Sequence, residues 1–104
     1  MKTFKINGKE YTAKAFDFNM VCDLEDMGIA ISEAQNKPLS VARAYFALCA
    51  GKGKVFAGQE LEQHIANGGK FDDVINAMSE EMEKSDFFRN LSQTAEQKTT
   101  KNSK

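Results

Sequence analysis

The chain has little of what metal sites, disulfide scaffolds and His-based catalysis are built from. It holds one histidine, one proline, two cysteines and no tryptophan in 104 residues. With a single His and no Cys pair at ligand spacing, a metal centre lacks its donor set. General acid–base chemistry on imidazole has one residue, His64, to draw on. No apolar run approaches the ~20 residues needed to span a bilayer. The opening Met1-Lys2-Thr3-Phe4-Lys5 passes into alternating polar and apolar residues rather than the apolar core of a signal peptide. An excess of one charge is also missing: 14 basic residues face 15 acidic ones, a formal net charge of −1. That balance argues against a polybasic membrane binder and makes nucleic acid an unfavoured partner. The basic residues are nearly all lysine; only Arg43 and Arg89 offer the planar fork suited to phosphates and guanines.

What is present suits one modest core. Hydrophobic residues make up 41% of the chain and charged residues 28%. Leu, Ile, Val and Phe stand just above the roughly 20% below which chains tend to stay disordered. Cys22 and Cys49 each fall inside a helical pattern and read as small buried hydrophobes in a reducing cytosol.

The first element predicted is a β-hairpin. Phe4 and Ile6 precede Asn7-Gly8, and Tyr11 and Ala13 follow. Asn-Gly is the strongest short hairpin signal, because both residues tolerate the positive φ of a type I′ turn. Asp17 is a good N-cap for a helix whose apolar face carries Met20, Val21, Leu24 and Met27, with Asp23, Glu25 and Asp26 turned to solvent. Gly28 stops it, and a single helical turn is expected near 32–35. Pro38 opens the next helix, apolar on nearly all sides from Leu39 to Ala50 apart from Arg43. Such a helix belongs at the centre of a fold, with Gly51 as its cap.

A shorter helix is expected from about Ala57 to Asn67. Another begins at Phe71, with Val74, Ile75, Met78 and Met82 on one face and Glu80, Glu81 and Glu83 on the solvated one. Asp72 and Asp73 sit favourably in its first turn. Ser85-Asp86 suggests a break and a new N-cap before Phe87, Phe88 and Leu91. The fold class expected is therefore α+β and mainly helical: a two-stranded antiparallel hairpin, then a bundle of four or five helices. One domain is expected over 1–94. A disordered polar tail is expected over 95–104, where no hydrophobic residue follows Ala95.

The candidate sites are few. Gly51-Lys52-Gly53-Lys54 superficially suggests a phosphate loop, but it follows a helix and lacks the glycine spacing, so it reads as a helix cap and surface turn. No second motif faces the carboxylates of 80–83, so they read as a solvated helix face. No catalytic residue, metal ligand or cofactor is expected. The candidate partner surface is Met78, Met82, Phe87, Phe88 and Leu91. On one unbroken helix Phe87 and Leu91 would lie nearly opposite Met78 and Met82. Either the chain bends at Ser85 and packs them inward, or they stand out as an apolar patch of the kind that marks a protein partner.

The whole-chain order resembles a known family. The hairpin of residues 3–13 leads to Phe16-Asp17-Phe18-Asn19, then to an Ala-rich helix closing at Gly51, then to ELEQHIANGG over 60–69 and MSEEMEKSDFFRNL over 78–91. This pattern is similar to the small tail assembly chaperones of long-tailed phages and prophages of Gram-positive bacteria. The resemblance covers residues 1 to about 93 and carries no catalytic signature. It implies a non-enzymatic protein of the host bacterial cytoplasm that binds the long, helical tape-measure protein and helps the tail-tube protein assemble around it. Self-association as a homo-oligomer stays open. A small nucleic-acid-binding regulator is the alternative from another class.

Overall fold

The computed structural model describes residues 2–33 and 36–91. The tail expected over 95–104 and the end of the turn expected near 32–35 lie outside the described residues.

Alternation in the first dozen residues becomes an antiparallel pair, β1 (Thr3–Ile6) and β2 (Lys9–Thr12), with Phe4 opposite Tyr11 and Ile6 opposite Lys9. The two-residue turn has φ of 55° at Asn7 and 80° at Gly8. Both angles lie in the region the type I′ turn demands, which Asn and Gly enter most easily. Phe4 and Ile6 point inward and are buried. A two-stranded hairpin is marginal alone, and here β1 packs on the fourth helix while β2 lies against the second.

Five helices follow among the described residues. Helix α1 (Phe18–Asp26) starts where the Asp17 carboxylate accepts from the Met20 backbone N–H at 2.8 Å, satisfying a donor the first turn leaves open. It buries Met20, Val21 and Leu24, the stripe its spacing marked out. A short 3-10 turn (Ile31–Glu33) leads to α2 (Pro38–Ala50). Pro38 occupies its first turn and Gly51 closes it at φ 70°, a left-handed cap that glycine enters without a Cβ clash. Helix α3 (Lys54–Ala66) and helix α4 (Asp72–Lys84) follow. Helix α5 spans 86–91.

The Ala-rich helix is the centre of the structure. Helix α2 packs against α1, α3, α4 and β2. Its Tyr45 and Phe46 are fully buried together with Phe16, Ile6, Leu24 and Val74. Phe46 meets the edge of Tyr11 at 4.8 Å between ring centroids, and Phe16 stacks on Tyr45 at 5.4 Å. Truncating Phe46 to Ala would cost about 3–5 kcal/mol, since a ring this enclosed leaves a cavity.

Three local expectations need correction. Helix α3 begins at Lys54, not near Ala57. Gly53, with its extended backbone, serves as N-cap and its carbonyl accepts from Ala57, so the connection shrinks to 51–53. Leu39 is 67% exposed although it belongs to the central helix, because its first turn stands clear of the core. Glu81 is buried, not solvated. It pairs with Lys84 at 2.9 Å and lies near enough to Tyr45 and Cys49 to influence both.

Candidate partner-binding surface

Ser85 sets the geometry of the chain's last described turn. Its backbone leaves the helical region, with φ −91° and ψ 107°, and α4 ends there. The Ser85 hydroxyl donates to the Phe16 carbonyl, and its oxygen accepts from the Phe88 N–H at 3.0 Å. One side chain thus caps α5 and ties it to the segment entering α1. The bend anticipated at Ser85 is present, and it decides where the five candidate residues go.

They do not form one exposed patch. Met78 is a core residue, 5% exposed. Met82 is half-buried against the core. Phe88 also packs on the core, its ring edge-on to Phe16 at 5.1 Å. Phe87 and Leu91 are half-buried. Phe87 meets the ring of Phe18 at 5.9 Å in a T-shaped pair, and Phe18 is 64% exposed. The accessible aromatic surface is therefore the Phe18–Phe87 pair at the seam of α1 and α5. Sequence reasoning passed over Phe18. The available signal was its position: it follows the N-cap directly and falls off the stripe of Met20, Val21 and Leu24.

A second apolar surface lies between α2 and α3, which sequence periodicity did not single out. Leu39, Ser40 and Arg43 from α2 face Gly58, Leu61, Glu62 and Ile65 from α3, with Phe71 at one end. The groove they line holds about 360 Å³. Leu39 and Ile65 are 67% and 48% exposed.

The ionisable groups that come together are structural. His64 Nδ1 accepts from the Asn7 backbone N–H at 2.9 Å, so that nitrogen carries no proton. Its Nε2–H then donates to Asp73 at 2.8 Å. A His–Asp pair of this kind orients a base only when the other ring nitrogen is available to substrate. Here that nitrogen is engaged by the hairpin turn, and the pair joins β1–β2, α3 and α4. Tyr45, fully buried, and the half-buried Cys49 form another group. The Tyr45 hydroxyl donates to the Lys14 carbonyl at 2.7 Å, and burial pushes its phenol far above the ordinary tyrosine range, with Cys49 beside it adding to the effect. Burial likewise pushes the Cys49 thiol up. A thiol held protonated is a poor nucleophile and a poor metal ligand. Cys22 and Cys49 are both free and only half-buried, short of the burial expected of them, because each stands at the margin of its helix's buried stripe. Among the described residues no three His, Cys, Asp or Glu side chains are grouped to hold a metal ion, and no helix is long and apolar enough to cross a membrane.

Comparison with family models, with curated proteins and with solved structures finds no match to this chain.

Proposed function

We propose that this chain is a non-enzymatic tail assembly chaperone of a long-tailed phage or prophage, acting in the host bacterial cytoplasm. It holds helical segments of a tape-measure protein until tail-tube protein assembles around them. The sequence resemblance supplies the family. The observation that carries the reading is the Phe18–Phe87 pair: two aromatic rings at the junction of two helices, one of them 64% exposed. Aromatic rings presented at the surface with a fixed geometry are a frequent anchor for a protein partner. An amphipathic helix laid across the seam would bury its apolar side against them. Acidic side chains from α1, Asp23, Glu25 and Asp26, leave the chaperone soluble while the rings stay accessible.

The test is co-expression with a phage tape-measure protein, followed by affinity capture and measurement of the soluble fraction. Capture together with a rise in soluble tape-measure protein supports the proposal. Absence of both refutes it.

A further inference from the structure

We infer that the exposed face of α3 is an interface with a second copy of this chain, formed by antiparallel packing of α3 on α3 across a two-fold axis. The inference is independent of the chaperone reading, which uses the seam at Phe18.

The argument begins with helix spacing. Val55, Gly58, Glu62 and Ile65 follow at intervals of three and four, so they line one face of α3. All but Gly58 are exposed, Val55 at 75% and Ile65 at 48%, and Gly58 is half-exposed. The order is apolar, small, acidic, apolar. That order is complementary to its own reverse. When two such helices run antiparallel about a point midway between Gly58 and Glu62, each Val55 falls opposite the other copy's Ile65, and each Gly58 opposite the other copy's Glu62. A two-fold contact requires a patch that complements itself, and this one does.

Charge provides the second support. Arg43 crosses from α2 to lie over Gly58: a Cβ added at Gly58 would meet Arg43 Cδ at 3.5 Å. Arg43 is half-buried and makes no ion pair among the described residues. Glu62 lines the same groove and makes no ion pair among the described residues. A guanidinium and a carboxylate that both lack an opposite charge gain from pairing in a partly desolvated contact. Within one copy the two groups remain apart. Across the two-fold, the Glu62 of one copy faces Gly58 of the other and so reaches the Arg43 that covers it, and the pairing happens twice. The apolar ends fit in the same register. Val55 of one copy enters the end of the groove formed by Ile65, Leu39 and Phe71 of the other. That insertion covers two of the most exposed aliphatic side chains of the protein, Leu39 and Val55, in a single contact.

The other occupants fit less well. The polar segment after residue 95 has no hydrophobic side chain to fill the apolar end. A helical client would need one carboxylate at the right place, whereas the second copy brings its own by symmetry.

Sedimentation velocity of the full chain from about 1 to 500 µM tests this, since a reversible dimer must dissociate on dilution. The wild-type chain is expected to pass from monomer to dimer within that range. Val55→Lys, at a site too exposed to disturb the fold, and Glu62→Arg, which sets like charges against each other, are each expected to weaken the dimer by about tenfold or more. The charge swap R43E/E62R is expected to restore it to within about threefold, because the pair is rebuilt with its signs exchanged. Circular dichroism establishes that each variant is folded, and if the swap does not fold, Val55→Lys decides alone. A monomer at every concentration overturns the inference. So does a dimer that Val55→Lys leaves unchanged, a closed assembly larger than two, or a folded charge swap that stays as weak as Glu62→Arg.

Discussion

The imidazole of His64 accepts a hydrogen bond from the backbone N–H of Asn7, 57 positions earlier in the chain. The same ring donates to Asp73 across the turn between α3 and α4, and Asn7 reinforces the contact through its side-chain amide, which donates to Gln63 at 2.9 Å. The tip of the hairpin is thereby attached to the end of α3 and the start of α4 by one side chain that is largely shielded from water. Removing it leaves a part-buried N–H without its acceptor. His64→Ala is expected to lower unfolding free energy by about 1–3 kcal/mol, read from the denaturant midpoint. Nitrogen-15 spectra of the folded protein at neutral pH are expected to show the Nε2–H tautomer, since Nδ1 must stay free to accept. An Nδ1–H tautomer would refute the latch.

Gly69 gives an independent approach to the same latch. A Cβ at this position would lie against the imidazole ring of His64, closer than side chains approach one another. The obstacle is the ring itself, which has no flexible end to swing aside without losing both hydrogen bonds. Gly69→Ala is therefore expected to destabilise the protein, by roughly 1–3 kcal/mol. In the His64→Ala background the same change should cost much less, because the obstacle is gone. Equal losses in both backgrounds would show that the ring is not what Gly69 accommodates.

Much of the fold is legible in the residues because its signals are local. Asn7-Gly8 specifies a turn, Asp17 a helix start, Pro38 another, and Gly51 a stop; each acts within a few positions of itself. The Ser85 break belongs to the same class. The start of α3 is harder to read, since Gly53 serves equally well as a loop residue and as a cap with extended backbone. The His64 latch and the burial of Glu81 were not legible at all. Their partners lie across tertiary contacts, and periodicity describes only one element at a time. The same limit applies to the candidate surface. Spacing placed Met78 on an apolar face, but only packing shows that this face is the core while Phe18, Leu39 and Ile65 remain outside.

Tyr45 links the core to alkaline stability. Its phenol is buried and hydrogen-bonded to Lys14, and its ionisation in the folded state is pushed far above the ordinary range. The unfolded chain releases that proton near pH 10, so above this pH the unfolded state binds fewer protons than the folded one. Stability must then fall as pH rises, by up to about 1.4 kcal/mol per pH unit from this group. Lysines titrate in the same region, so the measurement is a difference. Denaturant midpoints of the wild-type chain and Tyr45→Phe between pH 8 and 11.5 should converge as pH rises. Parallel curves would mean that Tyr45 ionises while folded.

The Ser85 hydroxyl is the attachment point of α5, and its removal is expected to act locally. Ser85→Ala leaves the Phe88 N–H and the Phe16 carbonyl without the partner they share. The expected cost is about 1 kcal/mol, the usual value of a helix N-cap. The more specific readout is hydrogen exchange. Amides of 86–91 should lose protection, while those of α2, at the centre of the core, should keep theirs. Uniform loss across the chain would instead assign Ser85 to the global fold.

Phe18 separates the proposed client surface from the proposed self-association surface. The ring is 64% exposed and touches Phe87 rather than the core, so Phe18→Asp is expected to change stability by no more than about 0.5 kcal/mol. If the aromatic seam holds the tape-measure protein, the same change should abolish its capture and return it to the insoluble fraction, since one anchor at the centre of such a contact commonly accounts for 2 kcal/mol or more, about thirtyfold in affinity. The dimer proposed through α3 should be untouched by it. Val55→Lys should behave in the converse way, disrupting the dimer while leaving capture intact. Paired capture and sedimentation measurements on these two variants assign each surface its own partner. If Phe18→Asp leaves capture at the wild-type level, the client binds elsewhere and the seam is only packing.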